Sequence, residues 1–355
     1  MVFWFKWVLL GYLFLGLALI VGILLYERLA RAYMARKYPP PGKLVDIGGY
    51  KLHLHCTGEG RPTVILEDGP TFAGSLAWSK VQPEVAKFAR VCSYDRAGIL
   101  WSEPSPQPRE ARQMAMELHA ALDKAQIAPP YVLVGLSVGG VYNRVFAELY
   151  PNEVVGMVLV EASHPDQEAR FPVNQVKAFP SGRGASLLKG FAATGVLRLL
   201  HLWSDPNPSN VPTEVKKVST GFMPRSTTAL LQEMKSFEAS FQSAKQAQPL
   251  GDKPLVVVTS SQASDLDDLP PGWTREYIKQ RDEVWQTLQT ELLWLSTNSQ
   301  QLTAAHSGPL LYYDQPDLVI QAIRQVMDAV RLCYPLSGQR PEPLPSHKYA
   351  ERLAS

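Results

Sequence analysis

Apolar positions in this chain fall into three patterns. The first is one unbroken run. From Val2 to Tyr26 the only charge is Lys6. Trp7 to Tyr26 alone would make about 30 Å of helix, the thickness of a bilayer's hydrocarbon. Phe3, Trp4, Phe5 and Trp7 crowd one end and Tyr26 marks the other, as interfacial anchors do. A cleaved leader has a shorter apolar core and small residues after it, whereas "YERLARAYMARK" follows here. The pattern predicts an uncleaved membrane helix over residues 1–26. "KYPPPGK" then reads as a stiff spacer, completing a linker over 27–42.

The second pattern is a series of short β-type runs. "KLVDIG" and "KLHLHCTG", with Gly48-Gly49 between them, predict an antiparallel hairpin at a sheet edge. "TVILEDG", "RVCSYDRAG", "YVLVGLS", "GMVLVEAS" and "PLVVVTSS" are apolar throughout, as strands buried on both faces are. The third pattern, helical periodicity, falls between them, for example in "EARQMAMELHAALDKAQ". Strand–helix alternation predicts an α/β fold: a mostly parallel sheet with helices on both faces, over 43–335. The alternation stops between His164 and Gly251. Helical patterns such as "ASLLKGFAATGVLRLLHLW" predict a cap inserted over about 164–250, its apolar stripe packed on the main domain. Residues 336–355 are rich in Pro and polar groups and read as a disordered tail.

Composition adds mainly exclusions. Of 355 residues, 46% are apolar and 19% charged, and the net charge of +2 has no block of like charges behind it. Nothing points to nucleic acid, and no phosphate-cradling loop or dinucleotide fingerprint is present. Cys56, Cys92 and Cys333 are too few and scattered for a disulfide framework or a metal site. Cys56 and Cys92 read as small buried thiols. No cofactor is expected. Arg28, Arg31, Arg36 and Lys37 follow the apolar helix and only Lys6 and the α-amine precede it, a bias toward a cytoplasmic main domain.

The candidate chemistry lies in "YVLVGLSVGG". A Gly-x-Ser-x-Gly sequence follows a β-run and opens a helix, the context of a nucleophile elbow. Gly135 and Gly139 leave room for close chain approach, Ser137 is the nucleophile, and the N–H of Val138 faces a developing oxyanion. With "LHLHCTGEGRPTVILEDG", "VQPEVAKFARVCSYDRAG", "YPNEVVGMVLVEASHPDQ" and "DQPDLVIQAIR", the chain resembles the α/β-hydrolase fold family, in its single-domain bacterial branch, from Lys43 to about Val330. The resemblance implies the fold closely and ester or amide hydrolysis only loosely.

In that fold the order is Ser, then acid, then His. Among seven histidines, His53 and His55 read as exposed or packed strand residues, His119 lies in a helix before the elbow, and His347 belongs to the tail. His201 reads as structural, and His164 follows a strand and could line the site. His306, ending "QQLTAA", is the candidate base. The acid is Glu161, at the end of "GMVLVEA", or Asp265, in the loop after "PLVVVTSS"; we favour Glu161.

Three positions depart from the family pattern. Pro309 stands where relatives carry His, three residues after His306 and up to ~10 Å of extended chain away. The oxyanion loop reads Asp68-Gly69-Pro70, and proline has no N–H to donate. Gly69 and Thr71 are then the candidates for binding there, Thr71 through its N–H or hydroxyl. Leu100 stands where relatives often have Gly. The expected activity is a membrane-anchored serine hydrolase acting on a small, lipid-like carboxylic ester. The alternatives are an impaired hydrolase-fold protein that binds a ligand or partner, and lactone opening or acyl transfer on the same scaffold.

Overall fold

A computed structural model describes residues 2–172, 183–200, 210–261, 269, 273–305, 307–308 and 310–336. The strands are β1 (Lys43–Asp46), β2 (Lys51–Thr57), β3 (Thr63–Glu67), β4 (Val91–Tyr94), β5 (Tyr131–Leu136), β6 (Val154–Val160), β7 (Leu255–Ser260) and β8 (Ser299–Ala304). They form one eight-stranded sheet in the order β1-β2-β4-β3-β5-β6-β7-β8. β1 and β2 are the expected antiparallel edge hairpin, β2 also pairs antiparallel with β4, and the rest is parallel.

The longer helices are α1 (Val2–Lys37), α2 (Ala111–Lys124), α3 (Val138–Leu149), α4 (Arg183–Thr194), α5 (Thr213–Lys235), α6 (Phe237–Gln246), α7 (Arg275–Glu291) and α8 (Pro316–Leu332). The period-2 geometry of a strand sends alternate side chains to opposite faces. Val64, Leu66, Val132, Val134, Val256 and Val258 join the core built with α8. Ile65, Leu133, Leu159 and Val257 join the one built with α2, α3 and α6. All ten are fully buried, which is why these strands read as continuous apolar runs. Between β6 and β7 the described segments are helical, as the sequence predicted.

Two local expectations change. Cys56 and Cys92 lie directly opposite each other on β2 and β4 and form a disulfide. They are 36 residues apart, and their pairing depends on β4 sitting beside β2 rather than beside its sequence neighbour alone. A linear reading of spacing does not contain that adjacency. Helix α1 also runs past Tyr26 to Lys37, so the expected linker is helical over its first eleven residues. Glu27 and Arg31 support that continuation as an i,i+4 pair at 2.8 Å. Met34 and Tyr38 pack against the cluster of Ile99, Leu100, Trp101, Val218 and Phe222. Among the described residues, α1 is the helix long and apolar enough to cross a membrane.

Leu100 explains its departure from the family pattern. Its φ is 42°, the left-handed region that favours glycine. Its side chain is fully buried among cap residues, and its N–H donates to Ser226 Oγ of α5 at 3.0 Å. Backbone strain is exchanged for packing between sheet and cap. A left-handed residue costs about 1–2 kcal/mol, and truncating a buried leucine costs about 2–5 kcal/mol. Packing therefore wins. Leu100→Gly is expected to lower stability by roughly 1–3 kcal/mol, read as a reduced midpoint in denaturant unfolding of the detergent-solubilised chain.

Candidate active site

Ser137 sits between β5 and α3 with φ 52° and ψ −126°. No L-residue adopts that geometry cheaply, and the surroundings hold it there. Its N–H donates to Val160 O at 3.1 Å, and its carbonyl accepts from Gly140 N at 3.0 Å and Ser163 N at 2.9 Å. At Gly139 an added Cβ would lie 2.7 Å from Glu67 O, so only glycine lets α3 start this close to β3. Val138 opens α3, where helix geometry leaves backbone N–H groups without intrahelical acceptors.

Ser137 lines a cavity of about 320 Å³ with Gly69, Pro70, Thr71, Leu136, Glu161, Trp285, Leu310 and Tyr312. Gly69, Thr71, Ser137 and Glu161 therefore meet in one place. Trp285, Leu310 and Tyr312 had no sequence signal. They come from α7 and from the segment before α8, far from the motif in the chain.

Glu161 is 7% exposed and also has positive φ, 44°. Its N–H continues the β6–β7 ladder to Val258 O at 2.8 Å. Oε1 accepts from Ser260 N at 2.5 Å and Oε2 from Trp285 Nε1 at 3.1 Å. Burial pushes its carboxyl up to about 7, against the lowering effect of these two donors. Ser260 carries a second link: its hydroxyl donates to the carbonyl of Ser307. The Ser307 hydroxyl lies 3.2 Å from Asp314 Oδ2. The carboxylate and the segment after His306 are thus joined through one residue at the end of β7. His306 itself, Pro309, the alternative acid Asp265, and His201 and His347 lie outside the described residues.

Three other histidines have partners elsewhere. His53 is packed, fully buried on β2 with Nδ1 2.9 Å from Asp95 Oδ2. His119 stacks on Tyr150 at 3.8 Å. His164 does not line the cavity. Its Nδ1 accepts from Asp166 N at 3.1 Å, and it sits among the Lys245–Asp166 and Arg170–Glu291 ion pairs. Burial, aided by the charge of Arg144, pushes it down to about 4.

The oxyanion loop differs from its expected use. Thr71 N–H donates to Gly69 O at 2.9 Å, and Thr71 Oγ1 donates to Asp68 Oδ2 at 2.5 Å while accepting from Ala73 N at 3.0 Å. Both Thr71 donors are therefore committed within the loop, and Pro70 supplies none. Asp68 is 2% exposed, and burial pushes its carboxyl up to about 7 although Arg96 pulls it down. Arg96 clamps the loop from below. Its guanidinium donates to Asp68 O and Gly69 O, both at 2.7 Å, and to Glu67 Oε1 at 2.6 Å. It also forms a two-point pair with Glu233 of α5, each contact 3.0 Å.

Comparison with known proteins agrees with this architecture. Residues 62–202 match the family described as alpha/beta hydrolase fold. The chain is 26% identical over 314 residues to "Probable transporter efuK" of Hormonema carpetanum, covering 80% of this chain and 42% of that one. It is 26% identical over 286 residues to the uncharacterized protein YqjL of Bacillus subtilis (strain 168), covering 80% and 91%. The solved structure of an esterase (EaEST) from Exiguobacterium antarcticum superposes with a TM-score of 0.54 at 14% identity, over 82% of this chain and 99% of that one. Its likeness concerns the fold. The elbow at Ser137, the sheet order and the matched residues agree on one conclusion: the chain has the α/β-hydrolase fold.

Proposed function

We propose that the protein is a membrane-anchored serine hydrolase that cleaves a carboxylic ester. The observation that carries this reading is Ser137 held at φ 52° in the same cavity as the buried carboxyl of Glu161. Ser137 Oγ attacks the ester carbonyl and His306 takes its proton. Glu161 holds the imidazole and stabilises its positive charge. The oxyanion rests on Val138 N–H. Collapse expels the alcohol with the proton from His306, and water then releases the acid by the same route. The link from Glu161 through Ser260 to Ser307 supports His306 as base, because it joins the acid to the residue following that histidine. Leu136, Leu310 and Tyr312 around the cavity suit an apolar acyl group.

A second reading, a ligand-binding protein with impaired catalysis, is favoured by the committed donors of Thr71 and by Pro70. Loss of one oxyanion donor costs about 2.7–4 kcal/mol of transition-state stabilisation. Slow turnover is therefore expected even on the first reading. Labelling by a fluorophosphonate probe separates the two. Label on the native chain that vanishes in Ser137→Ala supports the hydrolase; no label on folded protein supports the binder. Glu161→Gln is expected to lower kcat/KM by on the order of 10⁴. A triad acid works ionised, so native kcat/KM should rise with pH and level off above about 7. Turnover indifferent to both would remove Glu161 from the mechanism.

For the membrane side, we infer that the main domain faces an oxidising compartment. The flanking-charge bias opposes this, yet one of its contributors, Arg31, is paired with the acid Glu27. The Cys56–Cys92 disulfide is the stronger signal, since such bonds persist in oxidising surroundings. Cys333 is an exposed free thiol on the same domain. A membrane-impermeant maleimide should label it in intact cells; labelling only after lysis would return the domain to the cytoplasm.

A further inference from the structure

The cap carries an apolar face that the proposed reaction does not use. On α4, Leu187 and Phe191 lie four residues apart on one side, 61% and 48% exposed. The helical turn Val196–Leu199 and its next residue add Leu199 and Leu200, 44% and 58% exposed. The sequence predicted that this stripe packs on the main domain. These four side chains do not.

Helix α1 fixes the height of the junction between α4 and the turn. Glu27 is the first residue past the apolar run and is 2% exposed. It is covered by Gly195, the residue between α4 and the turn, which has φ 82° and where an added Cβ would lie 2.6 Å from Glu27 Cβ. Arg198 Nε donates to Glu27 Oε2 at 2.8 Å. The α4–turn junction therefore meets α1 at the level where the bilayer's hydrocarbon would end. Met34, which packs near Val218 and Phe222 of α5, lies seven residues or about 10 Å further along. Tyr38, whose carbonyl accepts Trp101 Nε1 at 2.8 Å, is further still. α1 acts as a ruler, with the α4–turn junction at the low mark and the contact of Met34 with α5 above it. Tilting a helix by the usual ~20° does not reorder these marks.

We propose that α4 and the Val196–Leu199 turn form a second membrane contact, seating Leu187, Phe191, Leu199 and Leu200 in the interfacial layer of the bilayer that α1 crosses. On α1 itself, Leu24, Leu25 and Leu29 are exposed within a turn of Glu27. Arg28, next to Glu27 on α1, is exposed at this level, as basic side chains at headgroup depth are. The cap would then stand on the membrane rather than above it, and a lipid-soluble ester would reach the domain without crossing water. This inference rests on α1 spanning the bilayer.

The test uses the full chain in phosphatidylcholine–phosphatidylglycerol vesicles. Cys333→Ser removes the free thiol, and Cys56 and Cys92 are already paired. Nitroxide labels are placed singly at Leu17→Cys, Leu187→Cys, Leu199→Cys and Met116→Cys, all exposed positions. Collision with oxygen is compared with collision with a water-soluble nickel chelate. Oxygen should dominate at 17, 187 and 199, and the chelate at 116. Chelate dominance at 187 and 199 with oxygen dominance at 17 overturns the second contact while leaving the anchor intact. Chelate dominance at 17 overturns both. Low access to either reagent at 187 and 199 means that protein covers this face, and also overturns the proposal.

Discussion

A single buried guanidinium ties the working parts of this molecule together. Arg96 follows β4, yet its donors reach the end of β3 through Glu67, the oxyanion loop through two carbonyls, and the cap through Glu233. It is 4% exposed. An unpaired charge in that position would be strongly unfavourable, so the loop carbonyls and both carboxylates are drawn to it. The carbonyls of Asp68 and Gly69 face inward to meet Arg96, and this sets the loop's course over Ser137. Pro70 is tolerable in such a loop because Arg96, rather than a backbone N–H, fixes its shape. The same clamp makes the loop's geometry depend on the cap, since Glu233 belongs to α5.

Three of the five non-glycine residues with positive φ among the described ones belong to the elbow, the cavity and the cap contact. Ser137, Glu161 and Leu100 all have positive φ without being glycine. Each is held by a different device. Ser137 is pinned by three backbone bonds, Glu161 by the β-ladder and two donors to its carboxylate, and Leu100 by burial under the cap. Backbone strain of this kind persists where surrounding structure over-determines it, and functional sites are where it accumulates.

Much of this was legible in the chain. The strand runs, the edge hairpin and the elbow followed from apolar periodicity and from Gly135 and Gly139, because these are local properties. Glu161 was one of two carboxylates, with Asp265, to which strand-end position pointed. Other features needed coordinates. The disulfide depends on β4 crossing to lie beside β2. His53 shows no partner in the sequence; Asp95, just after β4, supplies one. Thr71 offered two donors on paper, and both turned inward once the loop closed on Asp68. Trp285 and Tyr312 reach the cavity from helical segments whose own sequence serves ordinary packing. In every case the missing information was a neighbour supplied by topology.

The junction of α1 with the cap bears on where the chain can be divided. Severing it at Lys43 would strip Arg198 of its carboxylate and Trp101 Nε1 of its acceptor, and would uncover the surface on which Met34 rests. A division between Tyr26 and Glu27 keeps all three contacts and discards only the apolar run of α1. The half of α1 from Glu27 to Lys37 is, in effect, a first helix of the α/β domain that shares an axis with the apolar run before it.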